Sequence, residues 1–276
     1  MTLVKPARRF LIFCLLTVLT QVGGFIYVIS LATRKWSDKW TNSNRLKMVY
    51  RLASFFTRYC VATFVLVPII ARPFGRVPLP LIVTNHLQPL NVFTSFLNRH
   101  YVRPELKQIA YEVAEEMNKK FPGTKTNYLD ANFPFIRGFP LIPHLSHNDG
   151  KKLDLSFCYR DIKTGKSTND CPSFIGYGIC EEPQPHENNT ADFCSANGYW
   201  QYGFLKKMVP QNKKKEFMFD SDKTKKLINL FATQPLVGKI FIEPHLKLRL
   251  NLSSDKIRFH GCQAVRHDDH IHVQLK

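Results

Sequence analysis

What this chain lacks narrows it first. It has no glycine-rich phosphate loop, no serine-nucleophile elbow and no internal repeat. The nucleotide-cradling, serine-hydrolase and solenoid readings therefore have no support. Its seven cysteines include no Cys-x2-Cys pair, so a cysteine zinc site lacks its usual spacing. Acids are scarce: 21 Asp+Glu stand against 39 Lys+Arg, a formal net charge of +18. Such a balance asks for an anionic partner: nucleic acid, anionic lipid or an anionic wall polymer. No nucleic-acid recognition module is present, and aromatics do not interleave with basic residues as a base-stacking surface would require. Lys213, Lys214 and Lys215, with Lys223, Lys225 and Lys226, read as solvated loop and helix faces.

The excess charge is unevenly placed. Residues 1–71 hold ten Lys+Arg and one acid, whereas residues 72–276 hold 29 and 20, so each part carries +9. The first part also holds the longest apolar run, 23 uncharged residues from Phe10 to Ala32, after Lys5, Arg8 and Arg9. About 20 such residues cross a hydrocarbon core. A membrane span is expected there. A signal peptide ending at Ser30-Leu31-Ala32 is the competing reading, although the run exceeds the usual apolar length. A second stretch, Leu52 to Ala71, is broken by Arg58 and Pro68. It reads as a second span with Arg58 snorkelling, or as an interfacial helix. Arg34, Lys35, Lys39, Arg45, Lys47 and Arg51 lie between the two stretches, and the positive-inside rule prefers that loop in the cytoplasm. The expected location is the cytoplasmic (inner) membrane, with the rest of the chain on the periplasmic or extracytoplasmic face. Four cysteines, Cys158, Cys171, Cys180 and Cys194, fall in a 37-residue window rich in Pro, Gly, Asn and Asp. In an oxidising compartment that window suggests a disulfide-stapled insertion.

Half of the ten histidines sit in two short segments. One runs His144-Leu145-Ser146-His147 and reaches Asp154; the other is His267-Asp268-Asp269-His270-Ile271-His272. In a strand, residues two apart share a face, so His270 and His272 can point into one cleft. His147 and Asp154 are seven apart, and an unbroken strand would separate them. Asn148-Asp149-Gly150 is a turn signature, which lets Asp154 return on the strand Lys152 to Phe157. Two imidazoles, a carboxylate and an open position make a catalytic zinc site. No Glu stands beside the His-x-His to act as base. Histidine suits the proton transfer instead, since its ordinary pKa of about 6.5 is near working pH. More histidines than the metal needs are left over for it. Asp268 and Asp269 are equally readable as carboxylates behind the ligands or as solvated turn acids. His186, His245 and His260 read as structural or exposed.

His-x6-Asp followed far downstream by His-x-His resembles the metal signature of the lysostaphin, D-Ala-D-Ala metallopeptidase and hedgehog group. The closer resemblance is to the penicillin-insensitive murein endopeptidases. It rests on His144, His147 and Asp154, on His267, His270 and His272, and on the stretch Val237 to Lys247. It covers roughly residues 100–276, apart from about 160–215, and Glu243 replaces that family's Asn before the proline. The resemblance implies zinc (Zn²⁺) on His147, Asp154 and His272, and His144 lining the substrate. It makes His267 and His270 catalytic without binding the metal; His267 is assigned as general base and His270 as oxyanion stabiliser, with the two roles exchangeable. It implies a peptidase that hydrolyses peptidoglycan cross-links next to D-alanine, with peptidoglycan or its muropeptides as partner. The alternatives are a D,D- or L,D-carboxypeptidase on the same polymer, or a non-catalytic hedgehog-like binding module. A lipid-binding membrane protein with incidental histidines is a further reading.

The expected architecture is α+β: a small antiparallel sheet carrying the zinc site, helices on one side, and a transmembrane region ahead of it. The division is 1–71 as anchor, 72–100 as connector with a short strand at Leu81–Thr84, and 101–276 as peptidase domain with an insertion at about 160–215. A helix is expected from Arg103 to Lys120, and another, capped by Ser221 or Asp222, runs through Thr233. Lys239 to Glu243 and Asp269 to Leu275 read as strands.

Overall fold

The structure is a computed structural model, and it describes residues 4–276. Its main sheet has six strands in the order Ile257–Arg258, Val237–Phe241, His270–Leu275, Lys152–Ser156, Thr126–Tyr128, Leu87–Pro89. The inner pairings are antiparallel, as expected. The outermost pairing on each side is parallel, which corrects the wholly antiparallel expectation. Both edge strands are two or three residues long and reach their neighbours across long connections, so local sequence gives no sign of their direction.

The two-residue period of the central strands sorts their side chains onto two faces. Leu153, Leu155, Ile271, Val273 and Leu275 enter the buried core, where helices Pro104–Lys120 and Ser221–Thr233 meet them. The first helix starts at a proline, whose missing N–H is harmless there, and buries Leu106, Ile109, Ala110, Val113, Ala114 and Met117 at helical spacing. The second is capped by the Asp220 carboxylate, which accepts from the Lys223 N–H at 3.2 Å. The cap is thus one residue earlier than expected. Asp154, His270 and His272 alternate with those core residues and face the other way.

Three further segments correct the sequence reading. Leu81–Thr84 is not a strand; Thr84 exchanges backbone bonds with Leu87 at 2.9 and 3.0 Å, and the strand begins after the turn, at Leu87. The apolar run from Phe10 to Ala32 is not one helix. Val4–Thr20 and Gly23–Ala32 are separate, with Gln21 at φ 65° between them. The second helix folds back on the first: a Cβ on Gly24 would sit 2.0 Å from Thr17 Oγ1 and 2.6 Å from the Phe13 carbonyl. Only glycine permits that approach. Helix Asn44–Ile70, 27 residues, is long and apolar enough to cross a membrane. It widens into a π turn at Ala62–Leu66, just before Pro68 withholds an N–H from the ladder.

A three-stranded antiparallel sheet joins Ser167–Thr168, Tyr159–Asp161 and Phe217–Phe219. Tyr159 lies opposite Phe219, so the inserted stretch leaves and rejoins the domain at a single clamp. Cys194 is bonded to Cys262, which ties the middle of the insertion to the loop ahead of His267. Cys158, Cys171 and Cys180 are free.

Candidate metal centre

Asp154 and His272 are direct partners across the central antiparallel pair, which sets their side chains next to each other on one face. His147 arrives from the turn before Lys152–Ser156. That turn is held tightly. The Asn132 side chain donates to the Lys152 carbonyl at 2.8 Å and accepts from the Gly150 N–H at 3.0 Å. The buried Arg76 guanidinium donates to the Phe133 and Asn148 carbonyls. Gly150 sits at φ 83°, and a Cβ there would lie 3.2 Å from Arg103 Cγ and 3.3 Å from Arg76 Nε. The expected Asn-Asp-Gly reversal is therefore present.

Three atoms converge. His147 Nε2 lies 3.2 Å from Asp154 Oδ1 and 3.1 Å from His272 Nδ1, and His272 Nδ1 lies 2.9 Å from Asp154 Oδ1. His147 Nδ1 donates to the Ala131 carbonyl at 2.5 Å. A carbonyl can only accept, so that bond places the ring proton on Nδ1 and leaves a lone pair on Nε2. With that ring neutral, His147 Nε2 and the Asp154 carboxylate face each other as two acceptors, and either a proton on Nε2 or a metal cation between them removes the conflict. Four-coordinate zinc with bonds of about 2.0–2.2 Å sets its ligands about 3.3–3.5 Å apart, within a few tenths of an ångström of the spacings here. The buried group His144, His147 and Asp154 is likewise placed to bind a metal ion. His144, however, faces the other carboxylate oxygen: its Nδ1 is 3.4 Å from Asp154 Oδ2 and 3.2 Å from Asp130 Oδ2.

The insertion supports the centre from behind. The Tyr177 hydroxyl donates to Asp154 Oδ2 at 2.8 Å and accepts from the Asp130 N–H at 3.1 Å. The Gly178 N–H donates to Asp269, whose other oxygen takes the bond from His270 Nδ1. Asp269 therefore orients His270, while Asp268 is committed to the Arg266 guanidinium. Of the two acids left open by sequence, one is behind a site histidine and neither is a solvated turn acid.

Burial and neighbours set unlike charge states on the two remaining histidines. Burial, with the His270, His272 and His260 rings nearby, holds His267 well below the usual imidazole range. Burial also opposes charge on His270, but the Asp269 and Asp154 carboxylates outweigh it and hold that ring up to about 9. The rings stand 4.9 Å apart, centroid to centroid. Burial disfavours the Asp154 carboxylate too, yet the His147 and His270 rings keep it well below the usual range.

A cavity of about 520 Å³ opens onto these groups, lined by His144, His147, His260, His267, His270 and His272 on one side. Ile142, Leu145, Trp200, Phe204 and Val265 form its apolar walls. All six residues expected at the site therefore come together. Sequence reasoning missed three others. His260, read as structural or exposed, lines the cleft, its ring packed at a 50° tilt against Phe241, centroids 4.1 Å apart. Tyr177 and Tyr202 come from the insertion; the Tyr202 hydroxyl donates to Glu243, which also accepts from the His267 N–H at 3.1 Å. No spacing rule connects them to the motifs. His245 is buried against the Glu181 carbonyl and His186 is exposed, as expected. Compared with known proteins, the chain matches no family model and no curated relative.

Proposed function

We propose that this chain is a membrane-anchored, zinc-dependent endopeptidase that hydrolyses peptidoglycan cross-links next to D-alanine. One observation carries the reading: two ring nitrogens and a carboxylate oxygen, from three segments, lie within 2.9–3.2 Å of one another at the floor of a cleft. His147, Asp154 and His272 would hold the ion. Zinc bound there supplies an acidic water and a Lewis acid beside the scissile carbonyl. The remaining steps belong to side chains. His267, kept neutral by burial, takes the proton from the attacking water and passes it to the leaving amine. His270, kept protonated by Asp269, donates to the oxygen on which negative charge develops. His144 lines the cleft, and its unpartnered buried Nε2 is available to substrate.

Among the described residues, no Lys or Arg lines this cleft. Arg99, nearby, is held by Asp130 at 3.0 Å and donates to the Ile142 carbonyl. The peptidoglycan substrate rests on the motif resemblance. The membrane reading rests on the Asn44–Ile70 helix and on exposed apolar side chains ahead of the domain, Phe10, Leu11, Phe25 and Leu52 among them. It places the domain on the extracytoplasmic face. Incubating the full chain with cross-linked muropeptide dimers, with and without a chelator, tests the function. Chelator-sensitive conversion to monomers is expected. Intact dimers from a folded, zinc-loaded sample would refute it.

A further inference from the structure

We propose that the helices ahead of the domain make one membrane crossing and one re-entrant hairpin, with every basic cluster of this region on the same face of the bilayer. The proposal rests on the membrane reading above and adds a topology that hydropathy alone does not give.

The crossing is Asn44–Ile70. From Arg51 to Ile70 the rise is about 28 Å at about 1.5 Å per residue, close to the roughly 30 Å hydrocarbon core. Leu52, Phe56, Val65 and Ile69 are exposed along it. Arg58 lies inside this stretch and turns back toward the Arg51 end, bonded to the Ser54 hydroxyl and carbonyl. Long basic side chains near helix ends behave this way in lipid.

The hairpin is Val4–Thr20 and Gly23–Ala32. Phe13 meets Phe25 at 5.9 Å, so the two arms pack on each other, and Tyr27 meets Phe55 at 6.5 Å, so the second arm runs beside the first half of the crossing. The tip stops short. Asn98 Nδ2 lies 3.4 Å from the Thr20 carbonyl, from the Tyr59 hydroxyl and from Thr63 Oγ1. Tyr59 and Thr63 are about 12–18 Å along the helix from Arg51, which is mid-depth, so the Phe93–Asn98 turn and Phe135, which touch Tyr59 and Gln21, enter the outer half of the bilayer with them while the rest of the domain stays outside. Non-helical backbone survives at that depth only where protein covers it. That condition is met: Thr20 and Gln21 are 4% and 3% exposed, and Gln21 Oε1 accepts from the Phe135 N–H at 2.9 Å. The arms remain bare to lipid, with Phe10, Leu15 and Phe25 exposed.

The charges then fall into place. Arg9 is twelve residues before Gln21 and Arg34 is twelve after Val22, so the reversal brings them level. Lys5, Arg8 and Arg9 join Arg34, Lys35, Lys39, Arg45, Lys47 and Arg51 at the end away from the domain. The one acid there, Asp38, is paired with Arg51 at 2.7 Å. An unbroken Phe10–Ala32 span would have split these cations between the two faces. The hairpin gathers them on one, which the positive-inside rule makes cytoplasmic.

The test uses the full chain in bacterial inner-membrane vesicles of both orientations, in a background carrying Cys14→Ser, Cys60→Ser, Cys158→Ser, Cys171→Ser and Cys180→Ser. Lys5→Cys, Lys39→Cys and Asp255→Cys are labelled singly with a membrane-impermeant maleimide. Positions 5 and 39 should react from the cytoplasmic face and position 255 from the other. A nitroxide on Leu19→Cys should lie near mid-bilayer by oxygen accessibility. Labelling of positions 5 and 39 from opposite faces would overturn the hairpin. A chain that washes off the vesicles would overturn the membrane reading beneath it. Correct labelling without cleavage of muropeptides would leave the hairpin standing and fail only the enzymatic reading.

Discussion

Replacing Tyr177 with phenylalanine removes one oxygen and probes the metal centre from its far side. That hydroxyl holds Asp154 Oδ2 at 2.8 Å and satisfies the Asp130 N–H at 3.1 Å, and the residue is 6% exposed. Two consequences separate. Asp154 loses the group that fixes its second oxygen, and outer partners of this kind are worth about 10–100-fold in metal affinity, or about 1.4–2.8 kcal/mol. The Asp130 N–H is left buried without an acceptor, which costs about 1–3 kcal/mol of folding stability. Competition against a chromophoric chelator reads the first, and denaturant unfolding of the metal-free chain reads the second. We expect zinc affinity to fall at least tenfold. If stability falls while zinc affinity is unchanged, Tyr177 is a packing group and Asp154 is not the ligand that this geometry makes it.

Three other perturbations act on different parts of the site. His267→Ala should keep its zinc and lose about 10²–10⁴ in turnover; metal analysis beside muropeptide kinetics checks this, and loss of zinc would make His267 a ligand. Glu243, buried and beside Asp268, is raised from 4.5 to about 7. Its folded form thus binds a proton more tightly than the unfolded chain, so the Glu243 contribution to stability is full below about pH 4.5 and is lost as pH rises through about 7. At about 1.36 kcal/mol per unit the loss is on the order of 3 kcal/mol, and Glu243→Gln should flatten that slope in denaturant titrations at several pH values. Cys194→Ser opens a disulfide spanning 68 residues and should cost about 2–4 kcal/mol. Because it also frees Trp200 and Phe204 at the cleft wall, KM should rise more than kcat falls.

The parts of the fold that sequence revealed are those with a local period. Leu153 and Leu155, Ile271 and Val273 alternate with Asp154, His270 and His272, and that alternation alone places these three site residues opposite the core. The Pro104–Lys120 helix announces itself by a proline at its start and apolar residues every third or fourth position. What stayed hidden is held by distant contacts. Gln21 interrupts an apolar run with no glycine or proline at the break itself, and its positive φ is sustained by Asn98 and Phe135, far along the chain. A hydropathy window sees only uninterrupted apolarity there. His260 owes its place in the cleft to packing against Phe241. Tyr177 lies in a stretch without periodicity, and only folding brings it under Asp154.

Metal stoichiometry of the purified full chain, beside Asp154→Asn, tests the central claim most directly. The account predicts one zinc per chain in the parent. It predicts none in the variant after dialysis, with circular dichroism showing that the variant stays folded. Zinc retained at one per folded chain of Asp154→Asn would contradict it.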